Sequence, residues 1–234
     1  MTPASPPCED TLLPHAYTPT EREALWRTLR ERRDMRHFLP DPLPAGLLER
    51  LVEAAHLAPS VGYMQPWRFI RITDPTQRQN IRRLVEAERL ATAQALTTRT
   101  DDFLKVKIEG LGECAEVLAV VLMPERERHL FGRRTLPDMD LASVGCAIQN
   151  MWLAARAEGI GLGWVSFFDP DGLAQLLALP SGSRPVALLC IGQVSEFYAR
   201  PLLESTGWGQ RLRLDEVLFE NHWPAGVGGT PPAY

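Results

Sequence analysis

Two apolar runs, 117–123 (VLAVVLM), which is continuous, and 186–194 (VALLCIGQV), broken only near its end by Gln193, constrain this chain most. Both are far shorter than the roughly 18 to 20 apolar residues that a membrane-spanning helix needs. Neither alternates in the way a strand with one wet face does. They therefore read as strands inside a sheet. Two further segments, 67–72 (WRFIRI) and 162–167 (LGWVSF), read as a half-buried strand and a third inner one.

Helical periodicity fills the gaps. Thr20 and Glu23 have capping-box spacing, which predicts a helix from about residue 20 through Trp26 and Leu29. A second helix fits 44–57, with Leu47, Leu48, Leu51, Val52 and Ala55 on one face. Residues 76–98 are helical, polar and rich in arginine. Residues 140–158 turn Leu141, Val144, Ile148, Met151, Trp152 and Ala155 inward, and a short helix fits 171–178. Helices and strands mix without a regular strand–helix–strand rhythm, so the expected class is α+β rather than doubly wound.

The chain has 234 residues, 45% hydrophobic and 23% charged, enough to bury a core without disulfides or metal. Five prolines fall in 1–19 and three after 223, so 1–18 and 224–234 are expected to be tails around a single domain at 19–223. A net charge of −4 argues against a general affinity for nucleic acid or anionic membrane. Cys8, Cys114, Cys146 and Cys190 lie too far apart for a zinc knuckle or a disulfide framework and read as reduced thiols, the last three in the core. The five histidines form no metal-binding pattern, so no metal is expected. The first residues lack a basic-then-apolar secretion pattern, so the expected location is the cytoplasm.

Four segments could carry chemistry. Arg32, Arg33 and Arg36 crowd three guanidiniums at the end of the first helix, which suits either a phosphate ligand or a solvated helix C-terminus. Asp34 among them is expected to stay ionised, as an ion-pair partner or a general base. The stretch 58–67 (APSVGYMQPW) could present backbone donors, an amide and an aromatic plane to a flat heteroaromatic ring, or simply turn a helix into a strand. Gly159, Gly161 and Gly163 follow a helix and enter a strand, the reverse of a dinucleotide fingerprint. They suit close approach of a planar ring beside Ser166, or a helix C-cap. Residues 89–112 form either a lid or an exposed loop, and no G-x-S-x-G elbow is present.

Taken in order, RRDMRHF (32–38), APSVGYMQPWRF (58–69) and GIGLGWVS (159–166) after the Asn150-bearing helix resemble the FMN-binding nitroreductase superfamily over about residues 20–220. Asp34 stands where most members carry Ser, and Tyr63-Met64 where they carry Asn-Leu. With GRRTLPDMDL (132–141), these resemble the flavin-destructase branch. The resemblance implies a nitroreductase-like fold, a mostly antiparallel sheet flanked by helices, in an interlocked homodimer with shared active sites. It implies that Arg32, Arg33, Asp34, Met35 and Arg36 bind FMN, with Arg211 as an extra phosphate contact. Ser60, Met64, Gln65 and Pro66 would reach the ring from the partner. Gly161, Leu162, Gly163 and Ser166 would line the flavin N5 edge, under a lid at about 90–112. The implied reaction consumes reduced FMN with O2, through a C4a-peroxyflavin, to 5,6-dimethylbenzimidazole and D-erythrose 4-phosphate. Asp34 and Ser166 would be catalytic, and a separate flavin reductase would supply the reduced FMN. The alternatives are an NAD(P)H-dependent nitro- or quinone reductase that keeps its FMN and a non-catalytic flavin carrier.

Overall fold

Both apolar runs become the inner strands of one antiparallel sheet, seen in a computed structural model that describes residues 13–224. Residues 1–12 and 225–234, with Cys8 and most of both expected tails, lie outside the described residues. The strands are β1 (Trp67–Arg71), β2 (Glu116–Leu122), β3 (Gly161–Val165) and β4 (Arg184–Gly192), in the order β1-β2-β4-β3. Val117 faces Cys190 and Leu118 faces Leu189 across the central pair, whose register shifts between Val120 and Val121. The helices are α1 (Pro19–Glu31), α2 (Leu47–His56), α3 (Pro75–Ala95), α4 (Thr100–Lys105), α5 (Met139–Ala157), α6 (Pro170–Leu176) and α7 (Leu202–Ser205).

Burial on both faces explains the lack of alternation in β2 and β4. Leu118, Val120, Leu122, Leu189 and Ile191 pack with Leu51 of α2 and Ile148 and Met151 of α5. Val117, Ala119, Leu188 and Cys190 point the other way, towards Ile81 and Val85 of α3, Leu173 of α6, and Met35 and Phe38. α5 is thus the helix that braces one face of the sheet, and it also carries both halves of the candidate site described below.

Three expectations are corrected. The capping box of α1 is built by Thr18 and Glu21, not Thr20 and Glu23: the Thr18 N–H donates to Glu21 Oε2 at 2.9 Å, and the Glu21 N–H donates to Thr18 Oγ1 at 3.3 Å. Pro19 decides the register, because proline favours the first helical position directly after the cap. β3 ends at Val165, so Ser166 and Phe167 lie beyond it. Cys146 is exposed on α5, on the face turned away from the sheet, whereas Cys114 and Cys190 are buried.

Candidate active site

The arginine segment lies along the outer edge of β3. α1 ends at Glu31, and Arg32 turns extended (φ −59°, ψ 133°). Asp34 then bridges Leu162 in parallel, and the Met35 N–H donates to the Leu162 carbonyl at 3.0 Å. The approach is so close that a β-carbon on Gly163 would overlap the Met35 carbonyl oxygen, and one on Gly161 would lie 2.5 Å from Val194 Cγ1. Glycine is required at both positions by the chain itself, whatever a planar ring meets on their other face. On their side-chain face the room is taken by the chain itself.

Asp34 is fixed at both oxygens. Its Oδ1 accepts from the Trp164 N–H at 2.9 Å and its Oδ2 from Arg36 Nη2 at 2.5 Å. The same Nη2 donates to the Trp164 carbonyl at 2.8 Å, so β3 holds the pair as a unit. Burial raises the Asp34 carboxyl above its ordinary value, and this outweighs the lowering by Arg36, the Trp164 N–H and Arg32. Sequence reasoning counted the neighbouring arginines, which do lower it, and missed the burial that raises it. The 42% of its side-chain surface that stays open is where a ligand can reach it.

The arginines divide their tasks. Arg33 donates through Nη1 to the carbonyls of Arg30 and Arg32 and through Nη2 to that of Ala199, so its fork is occupied by backbone. Arg32 lies 4.4 Å over the Trp152 ring, and Trp152 Nε1 donates to the Arg33 carbonyl at 3.0 Å. Burial lowers the Arg32 guanidinium, and the like charges of Arg33 and Arg211 add to that, which places Arg211 within electrostatic reach of the cluster. The Arg36 side chain is only 11% exposed, and its Nη1 has no hydrogen-bond partner among the described residues. Like charges beside an orphaned buried donor are a poor arrangement alone and a good one around an anion.

Of the other expected site residues, Met35 and Leu162 are each 1% exposed with side chains in the core, so only their backbone can serve a ligand. Ser166 is exposed, directly past the end of β3. The expected lid is fastened close by: Phe103 of α4 packs on Phe167 and Trp208, and Arg99 lies 3.9 Å over the Trp208 ring. Sequence reasoning missed Trp152, Trp164 and Tyr198 as site builders. Tyr198 accepts from the Arg36 N–H at 3.2 Å and meets His37 Nδ1 at 2.7 Å. Their positions in the chain carry no sign that they converge on residues 32–37.

Ser60, Met64, Gln65 and Pro66 sit elsewhere in the protomer. The Val61 N–H donates to Ser143 Oγ near the start of α5, while the arginine segment meets Trp152 towards its end. Ser143 and Trp152 stand about 13 Å apart along the axis, at 1.5 Å rise per residue. A short 3-10 turn, Val61–Tyr63, closes the loop, and Ser60 Oγ accepts from the Gln65 N–H at 3.0 Å. Met64 and Pro66 are buried and Tyr63 is 84% exposed. One protomer therefore keeps the two halves of the expected site apart.

No helix among the described residues is long and apolar enough to cross a membrane, and no cluster of three His, Cys, Asp or Glu there could hold a metal. The chain is 41% identical over 199 residues to the 5,6-dimethylbenzimidazole synthase of Rhodospirillum rubrum, covering 83% of this chain and 93% of that protein. It is 39% identical to the enzyme of the same name from Rhodobacter capsulatus, covering 84% and 96%. Among solved structures, oxidised iodotyrosine deiodinase bound to FMN and 3-iodo-L-tyrosine superposes with a TM-score of 0.67 at 21% identity, covering 85% of this chain and all of that one. Residues 29–193, from the end of α1 through β4, match the Nitroreductase family, and the chain belongs to it.

Proposed function

We propose that this chain is a 5,6-dimethylbenzimidazole synthase, which fragments reduced FMN with O2 to 5,6-dimethylbenzimidazole and D-erythrose 4-phosphate and so supplies the lower ligand of cobalamin. The observation that carries the reading is 36–41% identity to three enzymes of that name over 93–96% of their length. The geometry supports it through Asp34, a carboxylate held at the centre of an anion-binding cluster and raised towards a useful basicity.

The residues present fit FMN. Arg32 and Arg36 with Arg211 hold the phosphate end, where Arg36 Nη1 lacks a partner among the described residues. Arg33 braces the segment from behind. The backbone of Gly161–Gly163 and Ser166 lie along the same strand edge. Reduced FMN supplies both the electrons for O2 and the carbon skeleton of both products. Asp34 moves a proton at the ribityl carbons, held in place by Trp164 and Arg36. Ser166 hydrogen-bonds the ring edge. The segment at 90–112, pinned through Phe103 and Arg99, keeps bulk water out.

A homodimer completes the site, with Ser60 and Gln65, and Met64 and Pro66 through their backbone, reaching the ring of the other protomer. Two features support this: the 13 Å gap within one protomer, and the exposed apolar face of Leu25, Trp26 and Leu29 on α1, a helix with no buried residue. A separate cytoplasmic flavin reductase delivers the reduced FMN. The test is anaerobic loading with chemically reduced FMN, exposure to air, and mass spectrometry of the products. One dimethylbenzimidazole per FMN lost is the expected result. Full recovery of oxidised FMN would overturn the reading in favour of an NAD(P)H-dependent reductase or a carrier, which NADPH turnover with nitro and quinone acceptors separates.

A further inference from the structure

A buried ion cluster far from the arginine segment, Arg126–Asp140–Arg133, has no part in the chemistry above. Asp140 is 5% exposed. Its Oδ2 accepts from Arg126 Nε at 2.9 Å and from Arg133 Nη2 at 2.8 Å, while its Oδ1 accepts from the Leu141 N–H at 2.6 Å. Arg126 also donates to the Gly182 and Met123 carbonyls, and Arg133 to those of Pro137, His129 and Arg126. One carboxylate on α5 thereby fixes the whole connection 124–138 between β2 and α5, including the GRRTLPDMDL wording left without a role.

What this connection touches is the loop at 60–66. A β-carbon on Gly132 (φ +75°) would lie 2.7 Å from Val61 Cγ2, and one on Gly62 (φ +53°) 2.8 Å from the Phe131 carbonyl oxygen. Ser143 Oγ, which donates to the Met139 carbonyl at 2.6 Å, takes the Val61 N–H from the other side. The loop holds Tyr63 (φ 54°) and Gln65 (φ 49°) in left-handed conformations that side chains disfavour. Such a shape persists only where its surroundings enforce it, and the enforcing surface is the connection that Asp140 ties down.

We propose that Asp140, with Arg126 and Arg133, is a positioning residue that sets the conformation of Ser60, Met64, Gln65 and Pro66. Its bearing on catalysis rests on the reading that this loop reaches the flavin. Misplacing a reactive group by about 1 Å costs on the order of a hundredfold in rate. Hydrogen–deuterium exchange on the unliganded full-length protein tests the coupling without any flavin. Asp140→Asn should speed exchange at 60–66 as well as at 126–137, and Asp140→Glu should partly restore it. In steady-state turnover with reduced FMN and air, Asp140→Asn should lower kcat about a hundredfold with a smaller change in KM. Gly132→Ala keeps all three charged side chains and acts on the backbone at φ +75° and its contact with Val61, so it should reproduce the kcat loss even if the Asp140 variants do not fold. Unchanged exchange at 60–66 in Asp140→Asn, or a Gly132→Ala protein with normal exchange and turnover, would overturn the proposal. Wild-type protein that forms no benzimidazole would instead sink the functional reading and leave the exchange result to stand alone.

Discussion

At the scale of single residues, Asp34 concentrates the conflict between stability and chemistry. Because burial raises its carboxyl above the unfolded value, folding favours the protonated form. Its contribution to stability is present below the unfolded pKa of about 3.9 and is lost as pH rises through the folded value. Asp34→Asn should therefore be at least as stable as the wild type at pH 7 in urea titration, and a clear loss of stability would count against this balance. Catalysis moves in the opposite sense. The acid limb of kcat/KM should sit above the ordinary carboxylate range, and a limb at or below it would remove Asp34 as the base. Asp34→Ser should still bind reduced flavin and let O2 oxidise it, yet release no benzimidazole. Arg32→Ala or Arg36→Ala should instead weaken flavin affinity roughly ten- to hundredfold, since a hydrogen bond to a charged group contributes about 1.5–3 kcal/mol. Fluorescence titration with FMN distinguishes the two kinds of variant.

At the scale of elements, α1 and β3 show what pattern and spacing can convey. Thr18→Ala should destabilise the chain by about 0.5–2 kcal/mol, whereas Thr20→Ala, inside the helix, should cost far less. Thermal unfolding of the two variants side by side checks the register. The four strands and five of the helices were legible because apolar periodicity reports burial directly, as in β2 and β4, buried on both faces, whereas α4 and α7 have no buried residue to announce them. The cap was not, since two Thr–Glu pairs at the same spacing compete and only the proline between the threonines separates them. The arginine cluster was legible as adjacent charge, but neither the burial that raises Asp34 nor its hydrogen bond from Trp164, some 130 positions away, shows in the local pattern. The same holds for Gly163. Its need to be glycine is dictated by the Met35 carbonyl, and no local pattern announces that contact.

At the scale of the whole molecule, each half of the site lies at a different end of α5, so activity and assembly should rise and fall together. Trp26→Glu on α1 places a charge in the apolar face with Leu25 and Leu29 and should shift the protein to monomers in sedimentation analysis, with loss of turnover. A monomeric variant with full activity would show that one protomer suffices. The segment that bridges Leu162 has a second consequence for the molecule. β3 pairs with β4 on one side only, and residues 34–36 cover its other side. Were that cover to lift, the strand would present unpaired backbone to other copies, a route to aggregation. The charged motif thus doubles as an edge guard, and variants that loosen it should scatter light on mild warming before helical signal is lost.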